Sequence, residues 1–230
     1  MTLDTCMENE LTRLEIAAMR RSYGHMGLES LPADPFLAFS QWLHEAHANP
    51  LVVEANAMVL STVDHDGEIS SRTVLLKDVS HHGFTFFTHY SSRKGKAIHS
   101  QPRVSLLFPW YAMERQVMIA GEAEKISRSE SEEYFASRPW ASQVGAWASR
   151  QSAPLASRQV LEERWQAAAE KWPEGTPVPT PSEWGGYRVM PTSIEFWQGR
   201  YSRLHDRLRY EPIITVAPDE PKWEITRYYP

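Results

Sequence analysis

The triplet Ser92-Arg93-Lys94 places two cations directly after a residue type that caps helices. A helix starting there aims its free backbone N–H groups and the positive end of its dipole where the two side chains also reach, which is the chemistry of a phosphate site. Arg72 and Lys77 stand just upstream. Their spacing of five puts them on opposite faces of a strand unless the strand ends or bulges between them. The bland reading is four solvated surface charges. Arg115-Gln116-Val117 sets an amide inside a strand, where an inward Gln needs partners or a ligand edge offering both donors and acceptors. Gln151-Ser152 is a second small polar pair near a helix end, or plain loop surface.

A third constellation follows Trp197-Gln198-Gly199. Arg203, His205 and Arg207 are spaced by two, so an extended segment puts them on one face. Three such groups repel one another unless an anion joins them. Trp197 offers a flat surface for an aromatic ring, or is simply core, and Asp206 can pair with either neighbouring arginine. Tyr134, Arg138 and Ser142 recur every four residues and share a helix face, although Pro139 bends or ends the helix. Hydroxyl, guanidinium and hydroxyl together suit a second phosphate, or an ordinary surface. His81-His82 sits in a turn with no third ligand nearby, so no metal is expected.

These residues need a frame. The first 30 residues read as a helical segment stopped by Gly24 and Gly27, and residues 31–230 as a single domain. Asp34 caps a helix that has Pro35 at its first position and runs to about His47. Strands are expected at 57–63, 69–76, 84–88, 103–108 and 115–126. Further strands fall at 187–190, 193–198, 208–210 and 223–228. Helices fall at about 93–100, 129–137, 142–149 and 155–171, before a Pro-rich loop over 173–181. Hairpin turns such as Asp64–Gly67 and the lack of a βαβ series predict a mainly β fold with helices, an antiparallel barrel.

The chain has 230 residues and a net charge of −5, with 18 Arg against 6 Lys. Residues 1–71 carry −8, whereas 72–138 and 188–209 each carry +3. Two basic islands in an acidic chain suit small focused anions rather than a nucleic acid. Cys6 is the single cysteine, which excludes an intrachain disulfide framework. The acidic start, with no apolar signal core and no membrane-length apolar run, makes a cytoplasmic protein the expectation. The chain has no GxGxxG, P-loop or HExxH.

The ordered stretches LPADP (31–35), RTVLLK (72–77), SRK (92–94), PRVSLLFPW (102–110), ERQV (114–117), SRP (137–139), QVGAW (143–147), RQS (150–152), WGGYRV (184–189), EFWQG (195–199) and RLHDR (203–207) resemble the pyridoxine (pyridoxamine) 5'-phosphate oxidase family, from about residue 20 to the end. The resemblance implies an antiparallel FMN-binding split β-barrel, homodimeric, with each flavin at the subunit interface. It implies oxidation of pyridoxine or pyridoxamine 5'-phosphate to pyridoxal 5'-phosphate by O2, with release of H2O2 and, from the amine, ammonia.

Carried over by motif, FMN contacts fall on Arg72, Lys77, Phe87, Thr88, Arg93, Lys94, Gln116, Gln151, Ser152, Trp197 and Arg207. Substrate phosphate falls to Lys77, Tyr134, Arg138 and Ser142, with Arg203 and His205 at the substrate ring as catalytic residues. Arg20 and Tyr23 resemble an element that closes over the substrate. Phe87 stands where the family commonly has Tyr, and Glu54 where it has Asp. The rival readings are a related split-barrel flavin oxidoreductase with another substrate and a non-enzymatic carrier of FMN or pyridoxal phosphate.

Overall fold

Alternation of apolar and polar residues builds the first hairpin. In β1 (Ala57–Val63), Met58, Leu60 and Thr62 are buried while their neighbours are half-exposed. Asp64 accepts the N–H groups of Asp66 and Glu68, Gly67 takes a φ of 82°, and β2 (Ile69–Leu75) returns in register. The computed structural model describes residues 11–19, 22–213 and 222–230.

Among the described residues seven further strands complete the sheet: β3 (Asp78–Ser80), β4 (Gly83–His89), β5 (Arg103–Trp110), β6 (Arg115–Lys125), β7 (Trp184–Gln198), β8 (Asp206–Ile213) and β9 (Lys222–Tyr228). All pairings are antiparallel, in the order β2-β1-β5-β6-β7-β4-β3, with β8 on β7 and β9 on β8. β7 divides the sheet. Its first half, Trp184–Val189, pairs with β4, and its second half, Ile194–Gln198, pairs with β8. Between them Thr192 is the extra residue of a bulge opposite Ala120 and Gly121. A Cβ on Gly121 would strike the Met190 carbonyl, so the close approach at this bulge requires glycine. The two short strands expected at 187–190 and 193–198 are therefore one long strand. Pro191 suggests a break, and the bulge absorbs it.

The helices are α1 (Arg13–Ala18), α2 (Pro35–Ala48), α3 (Arg93–Ser100), α4 (Arg128–Ser137), α5 (Trp140–Ala148) and α6 (Arg158–Lys171). Asp34 caps α2, which buries Phe36, Phe39 and Trp42 against Phe84, Phe108 and Phe196 of the sheet. A second apolar cluster, with Phe135, Val144, Ala168 and Trp184, packs α4, α5 and α6 beside β7. The N-terminal helix is shorter than expected, and residues 22–30 are not helical. Among the described residues no helix is long and apolar enough to cross a membrane.

Candidate active site

α3 starts where its sequence predicts. Ser92 Oγ accepts the Gly95 N–H, and Gly95 is required because a Cβ there would strike the Tyr90 carbonyl. The two cations behind the cap separate. Arg93 turns outward and pairs with Glu68 at 3.3 Å. Lys94 turns inward and is buried, donating to Gln151 Oε1 at 2.9 Å and Thr88 Oγ1 at 3.2 Å. Burial, with the Arg72 charge nearby, pushes the Lys94 ammonium down to about 8. Burial and Arg93 lower Arg72 in turn. Arg72 is braced by Leu60 O and Thr62 Oγ1 at 3.2 and 2.8 Å. Arg72 and Lys94 thus crowd the start of α3, with Arg93 close enough to act on Arg72 although it pairs outward with Glu68, a positive grouping that suits an anion.

A cleft of about 660 Å³ opens beside them. Lys77, Phe87, Thr88, Lys94, Tyr134, Arg138, Ser142 and Gln151 all line it. β2 ends at Leu75, so Lys77 escapes the alternation that would have set it on the wrong face. Pro139 ends α4 and stands as the N-cap of α5, with no side-chain cap bond, so Tyr134, Arg138 and Ser142 converge from two helices rather than one. Phe87 stacks on Tyr134 at 4.0 Å. The Arg138 guanidinium lies 4.9 Å over the Trp184 ring, and its buried Nη1 has no hydrogen-bond partner among the described residues. Arg138 lines the cleft, and a buried guanidinium donor without a partner, beside an uncapped helix start, suits an anion. Ser152 follows Gln151 with a φ of 70°, a left-handed conformation uncommon for serine.

The remaining residues collect at the other end of β7. Gln116, Trp197 and Arg207 are cross-strand neighbours on β6, β7 and β8, and so form one row on one face. Arg207 Nε and Nη2 each donate at 3.0 Å to a separate oxygen of the buried Glu195. Burial alone would raise the Glu195 carboxyl, but the bonds from Arg207 and Arg209 hold it below the ordinary carboxylate range. Tyr23 stands edge-on to Trp197 at 5.8 Å and to His205 at 5.4 Å. Clefts of about 610 and 500 Å³ lie on the two sides of Tyr23, one reaching Gln116 and Trp197, the other Arg203 and His205.

The single extended face expected for 203–207 does not form. Tyr201–Arg203 is a 3-10 turn, with Ser202 and Arg203 at φ 56° and 63°, and β8 starts only at Asp206. Asp206 pairs with neither Arg203 nor Arg207; its partners are Arg200 and Arg227. His205 Nδ1 accepts the Arg200 backbone N–H at 3.0 Å. Burial and the Arg203 charge lower its pKa. Arg20 lies outside the described residues. Trp184 and Glu195, which position Arg138 and Arg207, carry no local sequence signal of that role.

The two groups share no lining residue. Trp184 and Trp197 mark opposite ends of β7, up to roughly 43 Å apart if fully extended. The protein is thus a curled antiparallel half-barrel with clefts lined in part by cationic side chains at separate ends of its central strand. Residues 44–171 match pyridoxamine 5'-phosphate oxidase, and residues 184–230 the pyridoxine 5'-phosphate oxidase C-terminal dimerisation region. The chain is 53% identical over 218 residues to the pyridoxine/pyridoxamine 5'-phosphate oxidase of Prochlorococcus marinus, covering 94% of this chain and 96% of that one. With the Frankia alni protein of the same name it shares 49% over 217 residues, covering 93% and 88%. Among solved structures, PhzG from Burkholderia lata 383, in complex with tetrahydrophenazine-1-carboxylic acid, is similar at a TM-score of 0.77 and 32% identity, over 86% of this chain and 94% of that one. The chain belongs to the pyridoxine/pyridoxamine 5'-phosphate oxidase family.

Proposed function

We propose that the protein oxidises pyridoxine 5'-phosphate or pyridoxamine 5'-phosphate to pyridoxal 5'-phosphate, using FMN and O2. The alcohol substrate yields H2O2; the amine consumes water as well and yields H2O2 and ammonia. The observation that carries this reading is the convergence of Lys77, Tyr134, Arg138 and Ser142 on one cleft, with a buried guanidinium donor of Arg138 that has no partner among the described residues. That set suits a phosphate monoester on a small ring. Identity to the Prochlorococcus marinus oxidase, at 53%, exceeds the 32% shared with PhzG, which favours this substrate class over a different one.

The residues present fit FMN. The cations Arg72, Arg93 and Lys94 at the start of α3 would hold its phosphate. Lys77, Phe87, Thr88, Gln151 and Ser152 would hold the rest from the same protomer. The separate row of Gln116, Trp197 and Arg207 would reach it only from a second copy, so the active unit is a homodimer with sites at the interface. FMN held by these residues would supply a hydride acceptor for the substrate and a route for the electrons to O2.

The chain's own residues bind and orient. Lys77, Tyr134, Arg138 and Ser142 would fix the substrate phosphate, so binding energy remote from the reacting carbon serves alignment. Arg203 would sit at the pyridine ring and stabilise charge developing there, while His205 would orient its polar substituents. Tyr23, and Arg20 beside it in sequence, would exclude water above the ring. The test is turnover by FMN-loaded protein in air. Formation of pyridoxal 5'-phosphate and H2O2 in equal amounts is expected; binding without turnover would leave only a carrier.

A further inference from the structure

The Asp206 carboxylate joins Arg200, six residues before it, to two more distant pieces of chain. Oδ2 accepts the Leu28 N–H at 2.9 Å and the Arg200 guanidinium at 3.4 Å. Oδ1 accepts from Arg227 at 2.6 Å. Arg227 also donates to the carbonyls of Leu28 and Glu29, at 2.9 and 3.0 Å. The Asp206 side chain is only 12% exposed. A carboxylate so enclosed, with charged partners on both oxygens, holds its neighbours far more firmly than a surface pair does.

Two consequences meet at His205 and Tyr23. The segment Asp206 grips at Leu28 is the one that carries Tyr23, and it is also tied by the Gly24 carbonyl, which accepts the Tyr201 N–H at 2.9 Å. Its approach is close, since a Cβ on Gly27 would lie 3.0 Å from Arg200 Nη1. The residue Asp206 grips at Arg200 is the one whose backbone N–H meets His205 Nδ1. A ring nitrogen that accepts carries no proton, so the neutral ring bears its proton on Nε2.

We propose that Asp206 is a positioning residue of this site: by holding Leu28, Arg200 and Arg227 together, it sets Tyr23 against Trp197 and locks His205 as an Nε2–H donor toward the substrate ring. The donor role rests on the oxidase reading given above; the locked tautomer does not. The interaction acts through Arg200 and Leu28, so Asp206 itself touches no substrate.

The test uses FMN-loaded protein with 15N-labelled histidine, and the variants Asp206→Asn, Arg227→Met and their combination. In the wild-type protein, the His205 signals, identified by their loss in His205→Asn, are expected to show a single Nε2–H tautomer. In Asp206→Asn they are expected to become a tautomer mixture. KM for pyridoxamine 5'-phosphate is expected to rise about tenfold, with kcat changed less and FMN content unchanged. Arg227→Met is expected to raise KM in the same sense, and the double variant to add little, because both cut one tie. Should Asp206→Asn fail to fold, Arg227→Met carries the same readouts. An unchanged tautomer and unchanged KM in the folded variant, or fully additive effects, would overturn the assignment. Absence of turnover in the wild type would instead sink the oxidase reading, while the tautomer measurement would still stand.

Discussion

Lys94 donates to the side-chain oxygen of Gln151 at 2.9 Å, joining residues 57 apart in sequence. The contact anchors a buried ammonium on neutral oxygens, with Thr88 as the second, and no carboxylate among the described residues pairs with it. Burial, then Arg72, accounts for its lowered pKa of about 8. An anion bound beside it supplies the missing opposite charge and raises that pKa again.

FMN binding should therefore take up a proton. Affinity should be highest below about pH 8 and weaken as the free protein loses the Lys94 proton, between about pH 8 and pH 10. Stability of the FMN-free protein has the opposite sign. Between about 8 and the ordinary lysine value of 10.5 the unfolded state holds more protons, so this group's contribution rises with pH. Flavin fluorescence quenching at about pH 7 and about pH 9 measures the first effect, and Lys94→Met should flatten it. A Kd that does not move with pH in the native protein would refute it.

Arg138→Ala should raise KM for the phosphorylated substrate about 30-fold, corresponding to ~2 kcal/mol for a charge-assisted contact. Arg138→Lys should not restore it, because the ammonium cannot reproduce a planar group 4.9 Å over Trp184. Steady-state kinetics decide the matter, and an unchanged KM would remove Arg138 from the phosphate site.

Arg203→Ala should lower turnover at least ~10²-fold, a loss of ~3 kcal/mol, while FMN stays bound. Its guanidinium belongs to the cleft shared with His205, not to the cleft of Lys94. Near-native kcat, or loss of flavin on dialysis, would contradict that separation.

Gly95→Ala tests the frame rather than the chemistry. The added Cβ meets backbone, the Tyr90 carbonyl, so α3 must move away from β4. Denaturant unfolding should report a loss of about 1–3 kcal/mol, and FMN retention should fall with it because Ser92 and Lys94 shift together. Native stability in this variant would show that the α3 start tolerates displacement.

Much of this frame is legible locally. Asp34 and Pro35 announce α2, Ser92 announces α3, and the alternation of 57–63 with the turn at 64–67 announces the first hairpin, because capping and alternation are short-range effects. Pro191 misleads because its cost is absorbed by a bulge in pairing that lies 70 residues away in sequence, at Gly121. The stretch 203–207 misleads for a similar reason. Its spacing suits a strand, yet Tyr201, bonded to the Gly24 carbonyl, opens a 3-10 turn through Arg203, and Leu28 and Arg227 hold Asp206 at the start of β8; none of those partners is near it in sequence. The site residues were legible as types and motifs. Their division between two ends of β7 was not, because it depends on where a long strand changes neighbours.

On the proposed function, substrate electrons leave through a flavin held by this chain. Mixing FMN-loaded protein with pyridoxamine 5'-phosphate in the absence of O2, and following the visible flavin absorbance, tests it most directly. Bleaching of the bound flavin with one pyridoxal 5'-phosphate formed per flavin is expected, and recovery of the absorbance with H2O2 when air is admitted. A flavin spectrum unchanged by substrate, in protein that binds both ligands, would contradict it.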